Sequence, residues 1–251
     1  MFDELLNKIE KILKQKDNLV LHIDGIVFYQ LSKNNQNIIK FFENLVKILK
    51  KKNGTLIIPT FTYSFCNNKN FNLYKTKSTL NKITELIRKN IKMKRTDDPI
   101  FSFSIKGEFE NNYFKSKDTC FGKGSVFEYI YKKNALIGCL GCSLDRITFV
   151  HYVEQKRKVA YRYLKEFSGK VIDKEKKKFK KIKFFVGNLD LQYHVETSSL
   201  KKKLEKNNKI IKIPFLRTMN YFIRAKDYYK ACKEGLEENE FFLIKERFKF
   251  E

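Results

Sequence analysis

The chain is expected to form an α/β fold with a central, partly parallel mixed sheet flanked by helices, and three observations predict it. Two short apolar runs, residues 18–24 and 55–63, bracket a segment of helical periodicity at 38–49. That is the β-α-β unit, whose crossover makes its two strands parallel. A third apolar run, 135–141, has the continuity of a strand buried on both faces. Last, 42% hydrophobic residues, 24 of them Phe, supply a substantial core for 251 residues. No apolar run reaches the ~18 to 20 residues of a membrane helix. A single domain spanning 1–251 is expected, because no Pro/Gly/Ser-rich linker and no internal repeat divides the chain.

In chain order, apolar residues at 2, 5, 6, 9, 12 and 13 give residues 2–16 the stripe of an amphipathic helix. The run Leu19 to Ile23 is a buried strand broken by Asp24-Gly25, and ligands collect at the carboxyl ends of parallel strands. The helix at 38–49 stops at Asn53-Gly54. The strand at 55–63 is interrupted by Pro59 and followed by hydroxyls. Helical spacing returns at 78–90, with Ile83, Leu86 and Ile87 inward and Glu85 and Arg88 outward or toward a cleft. Pro99 leads into an exposed or edge strand within 95–107. Gly122 and Gly124 permit a tight turn, and Ser125 with Glu128 forms a capping box for the next helix. Free N–H groups there suit a phosphate or a carbonyl, although a plain helix start explains the pattern equally. Beyond the central helical stretch at 148–154, the lysine block 174–183 reads as a solvated hairpin or loop and 181–187 as a strand. Residues 189–196 alternate, with His194 and Glu196 on one face, 227–236 form a helix, and the final segment is a closing strand or coil.

Composition narrows the function classes. Five cysteines fit reduced thiols, and Cys139-x-x-Cys142 lacks a second pair at zinc spacing, so no metal site is expected. The first residues show no apolar block with a cleavage site, which points to a cytoplasmic protein without membrane insertion. A net charge of +25, from 53 Lys and Arg against 28 Asp and Glu, raises the question of nucleic acid. The lysines are mixed with Asn, Ile and Phe throughout, and no zinc finger, RNA-recognition signature or Gly-rich phosphate loop accompanies them. A sequence-specific nucleic-acid partner is therefore not expected, and general basic binding stands as a second hypothesis.

Chemistry concentrates at Thr148, His151 and Glu154, which on a helix fall three apart on one face. A carboxylate beside an imidazole fixes its tautomer and raises its basicity, which suits the ring to take a proton from an amine or hydroxyl nucleophile. An ordinary polar helix face has the same spacing. The stretch lacks the second histidine of H-E-x-x-H.

The order of the pieces carries a family resemblance. N-L-V-L-H at 18–22, G-T-L-I-I-P-T-F-T-Y-S-F at 54–65, I-T-E-x-x-R at 83–88, R-T-D-D-P-I-F-S-F at 95–103, F-G-K-G-S at 121–125 and T-F-V-H-Y-V-E at 148–154 together resemble the aminoglycoside 3-N-acetyltransferase family. The resemblance implies a fold distinct from GNAT acetyltransferases, with acetyl-CoA as donor and a primary amine as acceptor. It implies His151 as general base, Glu154 as its partner and Thr148 as a hydroxyl near the tetrahedral intermediate. Asp24 and Gly25, Thr60, Phe61 and Thr62, Ser102 and Phe103, and Gly122, Gly124 and Ser125 would line the coenzyme groove. Glu85, Arg95 and Asp98 are the expected acceptor contacts. Two departures stand out: His22 is followed by Ile23-Asp24 where the family has two serines, and the family's His-Pro reads Asp98-Pro99. A scaffold that has lost the reaction is a third hypothesis, opposed by the intact Thr148, His151 and Glu154.

Charge bears on the acceptor. Aminoglycosides carry several ammonium groups, which an acidic cleft concentrates and a strongly basic protein repels. A nucleotide-linked amino sugar pairs a pyrophosphate with one amine and suits this balance better. The sequence therefore predicts a nucleotide-amino-sugar N-acetyltransferase, of the kind used in surface polysaccharide synthesis, with an aminoglycoside acetyltransferase as the alternative.

Overall fold

The computed structural model describes residues 2–31, 34–108, 117–188, 191 and 193–246. In order, the elements are α1 (Phe2–Ile12), β1 (Asn18–Ile23), α2 (Gly25–Leu31), α3 (Asn35–Lys51), β2 (Thr55–Pro59), β3 (Phe71–Asn72), α4 (Lys82–Asn90), β4 (Lys94–Arg95), β5 (Phe103–Gly107), α5 (Val126–Lys132), β6 (Leu136–Leu140), α6 (Val150–Arg157), β7 (Arg162–Asp173), β8 (Lys176–Gly187), β9 (Tyr193–Val195), α7 (Ser198–Lys206), β10 (Ile211–Phe215), β11 (Thr218–Arg224), α8 (Ala225–Glu238) and β12 (Ile244–Glu246). The expected strand at 189–196 lies partly outside the described residues and contributes β9.

The main sheet runs β10-β11-β6-β1-β2-β5-β4. Only its centre is parallel: β1 pairs in parallel with β2 and β6, while β11, β10, β5 and β4 add on antiparallel. The expected mixed sheet is thus present, but the strand expected at an edge within 95–107 is β5, which lies between β2 and β4 with Phe103 to Ile105 buried, and only the short β4 is at the edge. Every residue of β1 and β6 is buried, as strands covered on both faces must be. Alternation divides their side chains between two cores. Leu19, Leu21 and Ile23 join Leu5, Leu6, Phe41, Phe42 and Leu45 on the α1/α3 side, while Val20 and Ile137 join Phe61, Phe103, Phe127 and Tyr152 on the other. Truncating a side chain such as Phe42, fully buried, to alanine would cost about 3–5 kcal/mol.

Local chemistry sets the boundaries. α1 stops at Ile12, earlier than its apolar stripe suggests, because the Asp17 carboxylate accepts from the Lys14 N–H at 2.8 Å and Lys16 turns the chain at φ 60°. Arg224 then clamps Asp17 through two bonds of 2.6 and 2.8 Å. α4 likewise begins at Lys82 rather than Ser78, because the Asn81 side chain caps it by accepting from the Thr84 N–H at 2.8 Å. At α5 the Ser125 hydroxyl accepts from the Glu128 N–H at 3.1 Å, and Glu128 reaches back to the Gly124 N–H at 2.8 Å. The capping box is present, displaced by one residue on its return bond.

The lysine block is the expected hairpin rather than a loop. β7 and β8 pair in register from Arg162↔Gly187 to Asp173↔Lys176, forming with β3 a separate three-stranded sheet. Ile182 is fully buried within the block while Lys181 and Lys183 are exposed, so pleat alternation makes a strand of it. Among the described residues no helix is long and apolar enough to cross a membrane.

Candidate active site

The site begins where β6 ends. Gly141 adopts φ 69°, and a Cβ there would fall 2.0 Å from the Val27 side chain, so the backbone passes where no larger residue fits. The following turn is pinned by Asp145, whose carboxylate accepts from Ser143 Oγ at 2.9 Å and from both the N–H and the hydroxyl of Thr197. α6 starts only at Val150. Thr148 therefore lies in the turn before the helix, with its carbonyl accepting from the His151 N–H at 3.1 Å.

His151 and Glu154 sit on the first turns of α6 as their spacing predicts. Nδ1 of His151 lies 2.6 Å from Oε2 of Glu154. An ionised carboxylate only accepts, so Nδ1 carries the proton and Nε2 keeps its lone pair. Glu154 is fully buried, and its other oxygen accepts from the Tyr161 hydroxyl at 3.2 Å. Nε of Arg162 forms an ion pair with Oε2 at 2.7 Å. Burial would raise the carboxyl pKa, yet His151, Arg162 and Tyr161 hold it below the usual range. Burial and then Arg162 push the His151 imidazole below its ordinary value, against the opposing pull of Glu154. At neutral pH the site thus holds a neutral ring backed by an anionic carboxylate, the state a general base requires.

Two cavities meet at this turn. A narrow cleft of about 160 Å³ is lined by His22, Asp24, Gly25, Phe61, Thr148 and Arg146, among others, at the carboxyl ends of β1 and β2. A wider groove of about 780 Å³ is bordered by His151, Arg162, Lys165, Phe184, Tyr193 and His194. Thr148 lines the first and His151 the second, so two of the three polar side chains read as one face open on different spaces, while Glu154 is buried behind the ring. His22 is buried, and burial pushes its pKa down to about 4. It borders the cleft as a neutral residue.

Asp24, Gly25, Phe61 and Thr148 are thus brought together, whereas the other expected contacts have structural employment and border neither space. Thr60 and Ser102, both buried, exchange hydroxyl and carbonyl bonds, with Ser102 Oγ donating to the Thr60 carbonyl at 2.8 Å. Arg95 ties them together by donating to Ser102 Oγ at 3.0 Å and the Thr60 carbonyl at 2.6 Å. The Thr62 hydroxyl donates to Ser64 Oγ at 3.2 Å. Phe103 stacks edge-on against Phe61 and Phe127. Asp98 is buried and accepts from the N–H groups of Ile100 and Phe101 at 2.9 and 2.7 Å. Glu85 is occupied by a two-bond fork from Arg88 at 2.7 Å and by the Ser78 N–H. Gly122 packs against Thr119 and Gln155, and Gly124 and Ser125 serve the α5 cap. Sequence reasoning did not single out Tyr161, Arg162 or Arg146. An Arg shortly beyond an H-x-x-E helix was the available signal for Arg162, and none marked Arg146.

Comparison with known proteins follows the same lines. The family described as Aminoglycoside 3-N-acetyltransferase matches residues 30–237, whereas no curated protein matches the chain. Among solved structures, the fold is similar to that of aminoglycoside acetyltransferase AAC(3)-IVa, with a TM-score of 0.73 at 14% identity over 96% of this chain and 90% of that one. It is also similar to YokD from Bacillus subtilis, at 0.74 and 15% over 95% and 99%, and to AAC(3)-Xa, at 0.76 and 12% over 94% and 92%. A histidine mutant of AAC(3)-IVa is known in complex with apramycin and with a gentamicin.

Proposed function

Since the chain belongs to the aminoglycoside 3-N-acetyltransferase family, we propose that it transfers an acetyl group from acetyl-CoA to a primary amine of an aminoglycoside-type amino sugar, with His151 as general base. The observation that carries this reading is the position of the His151–Glu154 pair, with a narrow cleft on one side and a wide groove on the other. The cleft suits a slender acylated thiol arm: it is small, is bordered by Thr148, and has Arg146 at its rim. Asp24 at the same rim opposes a pyrophosphate there, so Arg146 is the residue that supplies compensating charge.

Acetyl-CoA supplies the activated acetyl thioester. The chain's residues do the rest. Nε2 of His151 takes a proton from the acceptor amine as its nitrogen bonds to the acetyl carbon, and the Nδ1–H bond to Glu154 stabilises the imidazolium that forms. The Thr148 hydroxyl donates to the carbonyl oxygen as it gains negative charge. Departure of the thiolate and its protonation from the imidazolium complete the exchange. No covalent acyl-enzyme is needed.

The family and the aminoglycoside-bound relatives favour an aminoglycoside over the nucleotide-linked amino sugar predicted from charge. One observation keeps the nucleotide sugar as a second reading: the groove presents Arg162 and Lys165, and no carboxylate among its described lining residues. The test is to measure thiol release and the mass gain of one acetyl group with apramycin, gentamicin and sisomicin against a panel of nucleotide-linked amino sugars. Higher kcat/KM for the aminoglycosides supports the first reading, and the reverse order selects the second. Acetyl transfer to neither class would overturn both.

A further inference from the structure

A carboxylate behind a histidine ordinarily makes the ring more basic, yet here the carboxylate is not the histidine's alone. Oε2 of Glu154 lies 2.6 Å from His151 Nδ1 and 2.7 Å from Arg162 Nε. The arginine is built in: its side chain is 8% exposed, a second nitrogen donates to the Phe185 carbonyl at 3.3 Å, and the carboxylate it meets is fully buried. A permanent guanidinium beside the same oxygen repels an imidazolium and so offsets the attraction that the carboxylate would offer it.

We propose that Arg162 is a positioning residue of the transfer site: by sharing Glu154 with His151 it keeps the imidazole uncharged, so that the ring meets an incoming amine as a proton acceptor. The inference rests on the N-acetyl-transfer reading for its purpose, but its physical content concerns only the state of His151. The surroundings agree. From α6 itself Glu154 faces the ring; from the start of β7 and its groove side come Tyr161, Arg162 and Lys165; from β9 come Tyr193 and His194; and the ring of Phe121 stands 5.4 Å away. Glu154 is the single carboxylate in this set. The arginine and Lys165 also border the groove, where their positive charge disfavours a protonated amine and favours the free base that can attack.

The experiment is a histidine titration by NMR on the full chain, which has three histidines, His22, His151 and His194. His151→Ala assigns the central signal by its loss. In the unaltered protein the His151 midpoint is expected below the usual value of about 6.5. In Arg162→Gln it should rise by about one pH unit, and in Arg162→Lys, which keeps the charge, it should stay within a few tenths. The acid limb of kcat/KM should move with it. A midpoint at or above the usual value in the unaltered protein would overturn the proposal without any variant. So would an unmoved midpoint in Arg162→Gln accompanied by lower kcat, which would mark the arginine as structural support. Because the titration requires no turnover, it fails or succeeds independently of the acetyl-transfer assay.

Discussion

The cleft and the groove flank the same turn but are made differently. The cleft is cut into the ends of β1 and β2, strands with every residue buried, and its wall is inherited from the core. The groove is bordered largely by the β7–β8 hairpin and β9, where most side chains are partly or fully exposed. Folding therefore constrains the cleft and leaves the groove free to vary. A residue changed in the cleft disturbs the sheet; a residue changed in the groove alters what is bound.

The largest effect should come from removing the group that joins the two spaces. His151→Ala should lower kcat/KM by on the order of 10² to 10⁴ with an unfolding midpoint near that of the parent, because its side chain is 19% exposed and its loss leaves Glu154 still paired with Arg162. Comparable turnover in a thiol-release assay would remove His151 from the mechanism. Glu154→Ala differs in kind: it strands a buried guanidinium and should cost about 3–5 kcal/mol of stability as well as activity, measurable by urea denaturation.

On the cleft side, pH sharpens the contrast. His22 folds uncharged with a pKa of about 4, whereas in the unfolded chain it takes up a proton below about 6.5. Its depressed pKa therefore contributes stability that is fully present above the unfolded value and lost as pH falls toward the folded one. The loss should reach roughly 3 kcal/mol, and His22→Gln should flatten the dependence between those limits in denaturation curves taken across pH. The smallest effect belongs to the groove. Lys165→Glu, at an exposed position, should leave stability nearly unchanged, while the KM for a polycationic aminoglycoside falls a few-fold and that for an anionic acceptor rises, both effects shrinking with salt. Equal KM shifts for both acceptors would show that the groove does not select by charge.

The sequence made the two halves legible to different degrees. The parallel centre was readable because strands buried on both faces write continuous apolar runs, and His151 with Glu154 because a helix repeats its faces at fixed spacing. Thr148 was grouped with them because it stands in the tighter turn that leads into α6, where the Val150 and His151 N–H groups bond three residues back, which no periodicity records. Thr60, Ser102 and Arg95 looked like ligand contacts, since hydroxyls and a cation near strand ends are what ligands use; the bonds that Ser102 and Arg95 make to Thr60 cross long stretches of chain. Tyr161 and Arg162 escaped notice for a related reason: they reach Glu154 across a turn at which the helical pattern has ended. The short α2 starts with Gly25, and β10 carries Pro214, so neither announced itself by propensity.

The pairing of β1 with β6 has a consequence for biosynthesis. Leu19 meets Leu136 directly, although the described residues between them include α2 to α5 and β2 to β5. While a ribosome is still translating that interval, β1 can pair on one side with β2, but its other row of N–H and C=O groups has no strand to bind. An open apolar strand edge is a template for another chain. The nascent protein therefore carries a sticky margin until β6 emerges, and because α6 begins at Val150, soon after β6 ends at Leu140, the end of that exposure and the arrival of His151 and Glu154 come almost together.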